Sequence, residues 1–272
     1  MTAQCGAIVL AGGRSSRMGQ SKASLDWHGS TLLRRVVGIV ARGTGGPVVV
    51  VRPVGHPLPR LPSGVDVVDD TRDGLGPLQA LGAGLAALQG RVEIAYASST
   101  DVPLLHPAFV RRVCDRLGGE HDAAVSQADG PHPLAAAYRT MLAVDASTLV
   151  AAGERSLLSL LAACRVRWVT ENDLREVDAD LRSLWNLNEP GDYRRARAEP
   201  LPRVMVETDR LDVRGAPTRT VGAATLRQAA AAIGLELGRV LGVLNRNQES
   251  DDPELPLVDG DHLMFVSKPA QS

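Results

Sequence analysis

Short apolar runs alternate with amphipathic helical patterns through the first two thirds of the chain, and this alternation limits its architecture more than any other feature. Residues 5–11 ("CGAIVLA"), Val48–Val51, Val65–Val68 ("VDVV") and Val92–Ser98 ("VEIAYAS") are each too short for an ordinary helix and read as strands. Between them, Thr31 opens a helical pattern that places Leu32, Leu33, Val36, Val37 and Val40 on one face, with Gly43, Gly45 and Gly46 ending it. Leu78–Leu88 repeats the pattern. Pro107 stands at the first position of another helix, whose face carries Phe109, Val110, Val113 and Leu117. "AAVSQ", "LAAAYR" and "RVRWV" read as further strands, and residues 141–152, 156–163 and Glu189–Arg197 as helices. Buried strands in alternation with helices predict an α/β fold, with a mainly parallel, doubly wound sheet covered on both faces. In such sheets ligands bind beyond the carboxyl ends of the strands. Two segments fall there: the loop after the first strand, and Asp101 after "EIAYASS".

The loop is "LAGGRSSRMGQSK", Leu10 to Lys22, with glycines at 12, 13 and 19 and basic side chains at Arg14, Arg17 and Lys22. It lacks the spacing of GxGxxG, and Lys22 stands three residues beyond Gly19 rather than directly after a glycine as in GxxxxGK[ST]. It is therefore neither a dinucleotide fingerprint nor a Walker A loop. Its chemistry is still that of an anion cradle. Gly12 and Gly13 can turn N–H groups inward, and Arg14 and Arg17 can add charge-assisted hydrogen bonds. Of the 30 basic residues only Lys22 and Lys268 are lysines. A compact ammonium suits a phosphate oxygen in a tight site. The competing reading of the isolated loop is a solvated strand-to-helix turn with surface arginines.

Composition removes several other functions. A net charge of -1 gives no global attraction to nucleic acid or an acidic membrane, and 3% aromatic residues leave few platforms for stacking bases. No run approaches the ~20 apolar residues of a membrane span. The first ten residues lack the charged and cleavable segments of a signal peptide. Cys5, Cys114 and Cys164 are far apart and odd in number, which points away from structural zinc and from a disulfide framework, and towards a reducing cytoplasm.

The string "LAGGRSSRMGQSK" resembles the signature of nucleotidyltransferases with the nucleotide-diphospho-sugar-transferase-like α/β fold, L-A-G-G/A-x-x-x-R-M-G followed by lysine. Among these it is most similar to the molybdenum cofactor guanylyltransferase family. "DDTRDGLGPLQALGAGLAAL", "SSTDVPLLHP", "PHPLAAAYR" and "NLNEPGDYRRA" resemble later family segments in the same order, from residue 5 to about 197. Two departures stand out: Thr100 before Asp101, and Asn188-Glu189-Pro190-Gly191-Asp192 where the family reads "NTPED".

The resemblance implies transfer of GMP from GTP to molybdopterin with loss of pyrophosphate and dependence on Mg²⁺. It implies catalytic roles for Lys22, Arg17 and Asp101. It implies nucleotide contacts from Leu10, Ala11, Gly12, Gly13, Arg14, Lys22, Asp70, Gly76 and Asp101. It implies metal ligation by Asp101 and Asn188, and less directly Asn186. Such a reaction needs fixed cations and aligned phosphates more than a strong base, because a phosphate monoester is largely anionic at pH 7. Asp70, or Asp69 beside it, could accept from guanine N1–H and N2–H₂. Each has an ordinary alternative: an Asx turn at Asp101, a helix cap at Asn188, and close helix–sheet packing at Gly76 and Gly84. His132 reads as a core or solvated histidine. The alternatives in function are cytidylyl or other nucleotidyl transfer to a different phosphorylated acceptor, and a non-catalytic protein of this fold that binds or delivers the cofactor. Partner proteins of cofactor synthesis belong to either reading.

The composition shifts at "AEPLP" (198–202), a short stiff linker. This predicts a transferase domain over 1–198 and a small β-grasp domain over 203–272. "RVMVETDRLDVRG" reads as an edge hairpin strand; a strand, one helix ended by Gly234, "VLGVLN", and a last strand after Asp259-Gly260 complete it. "VDGDHLMFVSK" resembles the ending of small sulfur carriers, but Ala270-Gln271-Ser272 stands where these carry Gly-Gly, so the expectation is a domain that does not itself carry sulfur.

Overall fold

The computed structural model describes residues 5–12, 21–70, 76–208 and 218–268. The chain forms two compact units, one of Met1–Leu25 with Thr31–Tyr193 and one of Asp26–Ser30 with Arg194–Ser272.

The first unit is built on seven strands: β1 (Cys5–Leu10), β2 (Val48–Pro53), β3 (Val65–Asp70), β4 (Ile94–Ser99), β5 (Ala123–Gln127), β6 (Pro131–Arg139) and β7 (Val166–Thr170). Their order in the sheet is β3-β2-β1-β4-β6-β5-β7. Four neighbouring pairs are parallel; β6 alone runs against both of its neighbours, β4 and β5. The mainly parallel α/β sheet is thus the one expected, with one reversed strand inserted near its middle.

The helices follow from capped amphipathic segments. In α1 (Leu32–Thr44), Thr31 accepts the Arg34 N–H at 3.3 Å, and Gly45 ends the helix at φ 71°. Gly43, expected as a stop, lies inside the helix. A Cβ there would stand 2.5 Å from that of Val110 in α3 (Pro107–Arg116), so glycine lets the two helices close on each other. Side chains of α2 (Pro77–Leu88), α4 (Ala143–Ala151) and α5 (Leu157–Ala163) share one buried cluster with Ile8, Leu10, Val49, Val51, Ala95 and Ala97. Ala7 and Val9, on the other face of β1 by strand alternation, are fully buried too. Gly84 of α2 is a packing glycine: a Cβ would lie 2.6 Å from Ile8 Cγ2. The segment expected as one helix over 141–152 opens as a tight 3₁₀ turn at Thr140–Leu142 before α4, and a short helix, α6 (Glu171–Arg175), follows β7 directly through a Thr170–Asp173 capping box.

The second unit begins within helix α7 (Pro190–Arg197) and contains a five-stranded sheet. Its strands are β8 (Arg203–Thr208), β9 (Arg219–Gly222), β10 (Val240–Leu244), β11 (Gln248–Ser250) and β12 (His262–Ser267), in the order β9-β8-β12-β10-β11. β8 pairs antiparallel with β9 and parallel with β12. It is an interior strand, not the edge strand that its alternation suggested, because β12 returns from far along the chain to cover its second side. Helix α8 (Leu226–Ala232) lays Leu226, Ala229 and Ala230 on Val204, Val206, Leu263 and Phe265. Asp26–Ser30 joins this unit through Ser30 Oγ donating to Glu254 at 2.9 Å and Gln228 donating to the His28 carbonyl at 2.9 Å.

Candidate active site

β1 and β4 are adjacent, parallel and in register, with Leu10 opposite Ser99. The chain therefore leaves both strands at the same edge of the sheet, and Lys22, which follows β1 in sequence, meets the turn after β4. Beyond β1, the Ala11 N–H donates to the Val51 carbonyl at 2.8 Å, extending the ladder into the loop. At Gly12 a Cβ would meet the Pro53 ring at 3.4 Å. Gly13, Arg14 and Arg17 lie outside the described residues.

Lys22 opens a 3₁₀ turn, Lys22–Ser24, anchored by buried Ala23 and Leu25. Its Nζ donates to Asp101 Oδ2 at 2.8 Å, with the two side chains 21% and 17% exposed. The lysine and the carboxylate singled out from separate segments thus form one ion pair, sheltered yet open to a ligand.

Three contacts fix the turn that carries Asp101. The Asp101 carbonyl accepts the Leu187 N–H at 2.9 Å. Buried Arg35, on α1, donates through Nε to the Pro103 carbonyl at 2.6 Å. The His106 N–H donates to Ser183 Oγ at 3.2 Å, and Ser183 is itself held by Asp178. None of these was legible in the sequence. One uses a main-chain amide and another a serine hydroxyl of remote segments, and an arginine inside an amphipathic helix gives no sign that it is buried.

The Leu187 contact also brings the Asn186–Asn188 segment beside Asp101. Asn188 is exposed; its N–H and that of Glu189 donate to Asp192 at 3.0 and 2.9 Å, so the side chain that caps the start of α7 is that of Asp192, in the first turn, and not that of Asn188. Asn186 donates to the Leu184 carbonyl at 3.4 Å.

Asp69 and Asp70 end β3, at the same edge of the sheet. Asp69 accepts from Arg52 Nε at 2.7 Å on the face of exposed Val67. Asp70 lies on the opposite face, that of Val68, which packs with α2. Gly76 caps α2 at φ 80°, where a Cβ would stand 2.9 Å from the Arg155 carbonyl; both its backbone angle and its neighbour call for glycine. His132 is partly buried, with Nε2 2.8 Å from the Ala128 carbonyl.

Among the described residues no group of three or more His, Cys, Asp or Glu side chains could hold a metal alone. A single carboxylate at a strand end suits Mg²⁺ bound together with nucleotide phosphates, since that ion takes one or two carboxylates and fills its octahedron with phosphate oxygens and water. No described helix is long and apolar enough to cross a membrane.

The family described as "MobA-like NTP transferase domain" matches residues 7–173. A "probable molybdenum cofactor guanylyltransferase" of Mycobacterium tuberculosis is 42% identical over 185 residues, covering 66% of this chain and 87% of the relative. Its counterpart in Mycobacterium avium is 36% identical over 190 residues, covering 66% and 95%. Among solved structures, molybdopterin-guanine dinucleotide biosynthesis protein A of Archaeoglobus fulgidus superposes with a TM-score of 0.56 at 24% identity, over 71% of this chain and 96% of that one, a likeness of fold.

Proposed function

The chain belongs to the MobA-like NTP transferase family and is a nucleotidyltransferase of molybdenum cofactor biosynthesis; on that premise we propose that it transfers GMP from GTP to molybdopterin, releasing pyrophosphate, with Mg²⁺ as the metal. The observation that carries this reading is the Lys22–Asp101 pair, which joins Lys22, after β1 in sequence, to the turn after β4.

In this reading the acceptor's phosphate oxygen attacks the α-phosphorus of GTP and the α–β bridging oxygen departs with pyrophosphate. Negative charge builds on the α-phosphate and the leaving group, so rate comes from alignment and from cations placed in advance. Lys22 exchanges its carboxylate partner for an α- or β-phosphate oxygen. The backbone of Leu10–Gly12 continues into the glycine loop, where Gly13, Arg14 and Arg17 receive the remaining phosphate oxygens. Asp101 and Asn188 would hold Mg²⁺, which when bound neutralises phosphate oxygens of the nucleotide. Asp70 accepts from guanine N1–H and N2–H₂, a donor pair that cytosine lacks. Asp69, already paired to Arg52, is the weaker candidate. A cytoplasmic setting is part of this reading, supported by the few, widely spaced cysteines of the sequence.

We also propose that residues 203–272 are a β-grasp domain. The β8–β9 hairpin, the single helix α8 and the parallel β8–β12 pair at the centre of the sheet support this.

The test is a thermal-shift panel of the four nucleoside triphosphates with Mg²⁺, each with and without molybdopterin. A rise with GTP that exceeds the rise with CTP, and grows with molybdopterin, is expected. Equal shifts would remove the guanine assignment, and no added shift with molybdopterin would remove the acceptor.

A further inference from the structure

Cys5 and Cys114 stand 109 positions apart in sequence, yet their sulfurs are 3.0 Å apart in the fold. Cys5 is the first residue of β1, and Cys114 lies in the last turn of α3. We propose that they are a redox-modification site: a thiol pair that a low-molecular-weight disulfide converts to an intramolecular disulfide joining β1 to α3.

The geometry favours this pairing over any other in the chain. A disulfide bond measures about 2.05 Å, so the two sulfurs need to approach by only about 1 Å. The backbones on both sides are already held. Beside Cys5, a Cβ on Gly46 would collide with the Cys5 carbonyl, and at α3 the Gly43–Val110 approach presses the helix on α1. The third thiol, Cys164, is turned to the Leu161 carbonyl, beyond the end of α5 and away from β1 and α3.

The two cysteines have different roles. Cys5 is partly exposed and can meet a solute, whereas Cys114 is 9% exposed. The Cys5 thiolate attacks one sulfur of the small disulfide, forming a mixed disulfide and expelling one thiolate. The hydrogen bond to Cys5 and burial hold the Cys114 thiol well above the ordinary range; once Cys5 is in the mixed disulfide that hydrogen bond is gone, and Cys114 loses its proton to solvent, attacks the Cys5 sulfur, forms the Cys5–Cys114 bond and expels the second thiolate. The two protons lost from the protein thiols end on the two small thiols. The two electrons lost by the protein reduce the small disulfide. Cys5 opens β1 at the amino end, the opposite end of the strand from Leu10 and the phosphate loop, so the modification does not depend on the nucleotide reading.

The experiment treats the full chain, reduced and then freed of reductant, with oxidised glutathione at neutral pH. Thiols are counted after unfolding, and disulfide-linked peptides are mapped by mass spectrometry. Free thiols should fall from three to one, with the Cys5 and Cys114 peptides joined, Cys164 free, and all three thiols restored by dithiothreitol. Cys114→Ser should stop at a glutathione adduct on Cys5, and Cys5→Ser should keep both remaining thiols. Three thiols retained by the native protein, a link to Cys164, or a link between two copies would each overturn the proposal. The thiol count of the native chain decides the matter even if a variant folds poorly.

Discussion

Lys22 donates to Asp101 across 2.8 Å, and each side chain is about four-fifths covered. The ammonium is therefore set in place before a nucleotide arrives, and its work is expected in the transition state, where charge on the phosphates is greatest. Lys22→Ala should lower kcat by about 10²-fold or more while changing KM far less. Steady-state kinetics decide this; a raised KM with kcat spared would make Lys22 a ground-state binding residue.

Asp101→Asn keeps the shape of the side chain and removes its charge. Circular dichroism and the melting curve should match the native protein, while Mg²⁺-dependent transfer drops by more than about 10²-fold. A purified variant with near-native rates at ordinary Mg²⁺ concentrations would take Asp101 out of metal binding.

The neighbouring aspartates at the end of β3 should behave differently. Asp70→Ala should cut the preference for GTP over CTP about 10-fold, on the scale of one charge-assisted hydrogen bond. Asp69→Ala should leave that preference unchanged, because Asp69 is held by Arg52 on the other face of the strand. Competition between the two nucleotides in a single assay measures both.

Arg35→Met retains much of the length of a buried side chain but cannot donate to the Pro103 carbonyl. The lost hydrogen bond should cost about 1–3 kcal/mol of stability in urea unfolding. It should also weaken Mg²⁺-dependent nucleotide binding, because the Asp101 turn is held from beneath by this arginine. A variant with native stability and native metal dependence would show the turn to be fixed by its other contacts alone.

Gly84→Ala places a methyl group 2.6 Å from Ile8 Cγ2, where helix and sheet meet. Overpacking of this kind costs about 1–3 kcal/mol. Urea titration should show a lower midpoint with an unchanged slope; an unchanged midpoint would mean that Ile8 finds another rotamer without cost.

Much of the fold was legible because the strands of the first sheet are buried and short, and the helices between them carry clear caps. The exceptions have physical reasons. β6 is as apolar as its neighbours, and apolarity does not record direction, so its reversal was invisible. β8 alternates like an edge strand, but its second neighbour, β12, lies over fifty residues away, and no local pattern records that pairing. At the site, Lys22 and Asp101 stood out because each comes after a buried strand in the sequence itself. Arg35, Ser183 and the Leu187 backbone left no such mark, since they act through carbonyl and amide groups of segments distant in the chain. The closeness of Cys5 and Cys114 was hidden for the same reason.

The hydrogen bond from Leu187 to Asp101 has a consequence for how the protein comes into being. During synthesis the loop after β1, Lys22 and Asp101 all leave the ribosome early, while the amide that fixes the aspartate's turn is made only near the end of the first unit. The match to the family ends at residue 173, short of that amide. A nascent chain of that length already contains Lys22 and Asp101 but not the segment that donates to the Asp101 carbonyl. The proposed site is thus finished last, and a chain cut short before Leu187 carries Lys22 and Asp101 without the hydrogen bond that braces the aspartate's turn.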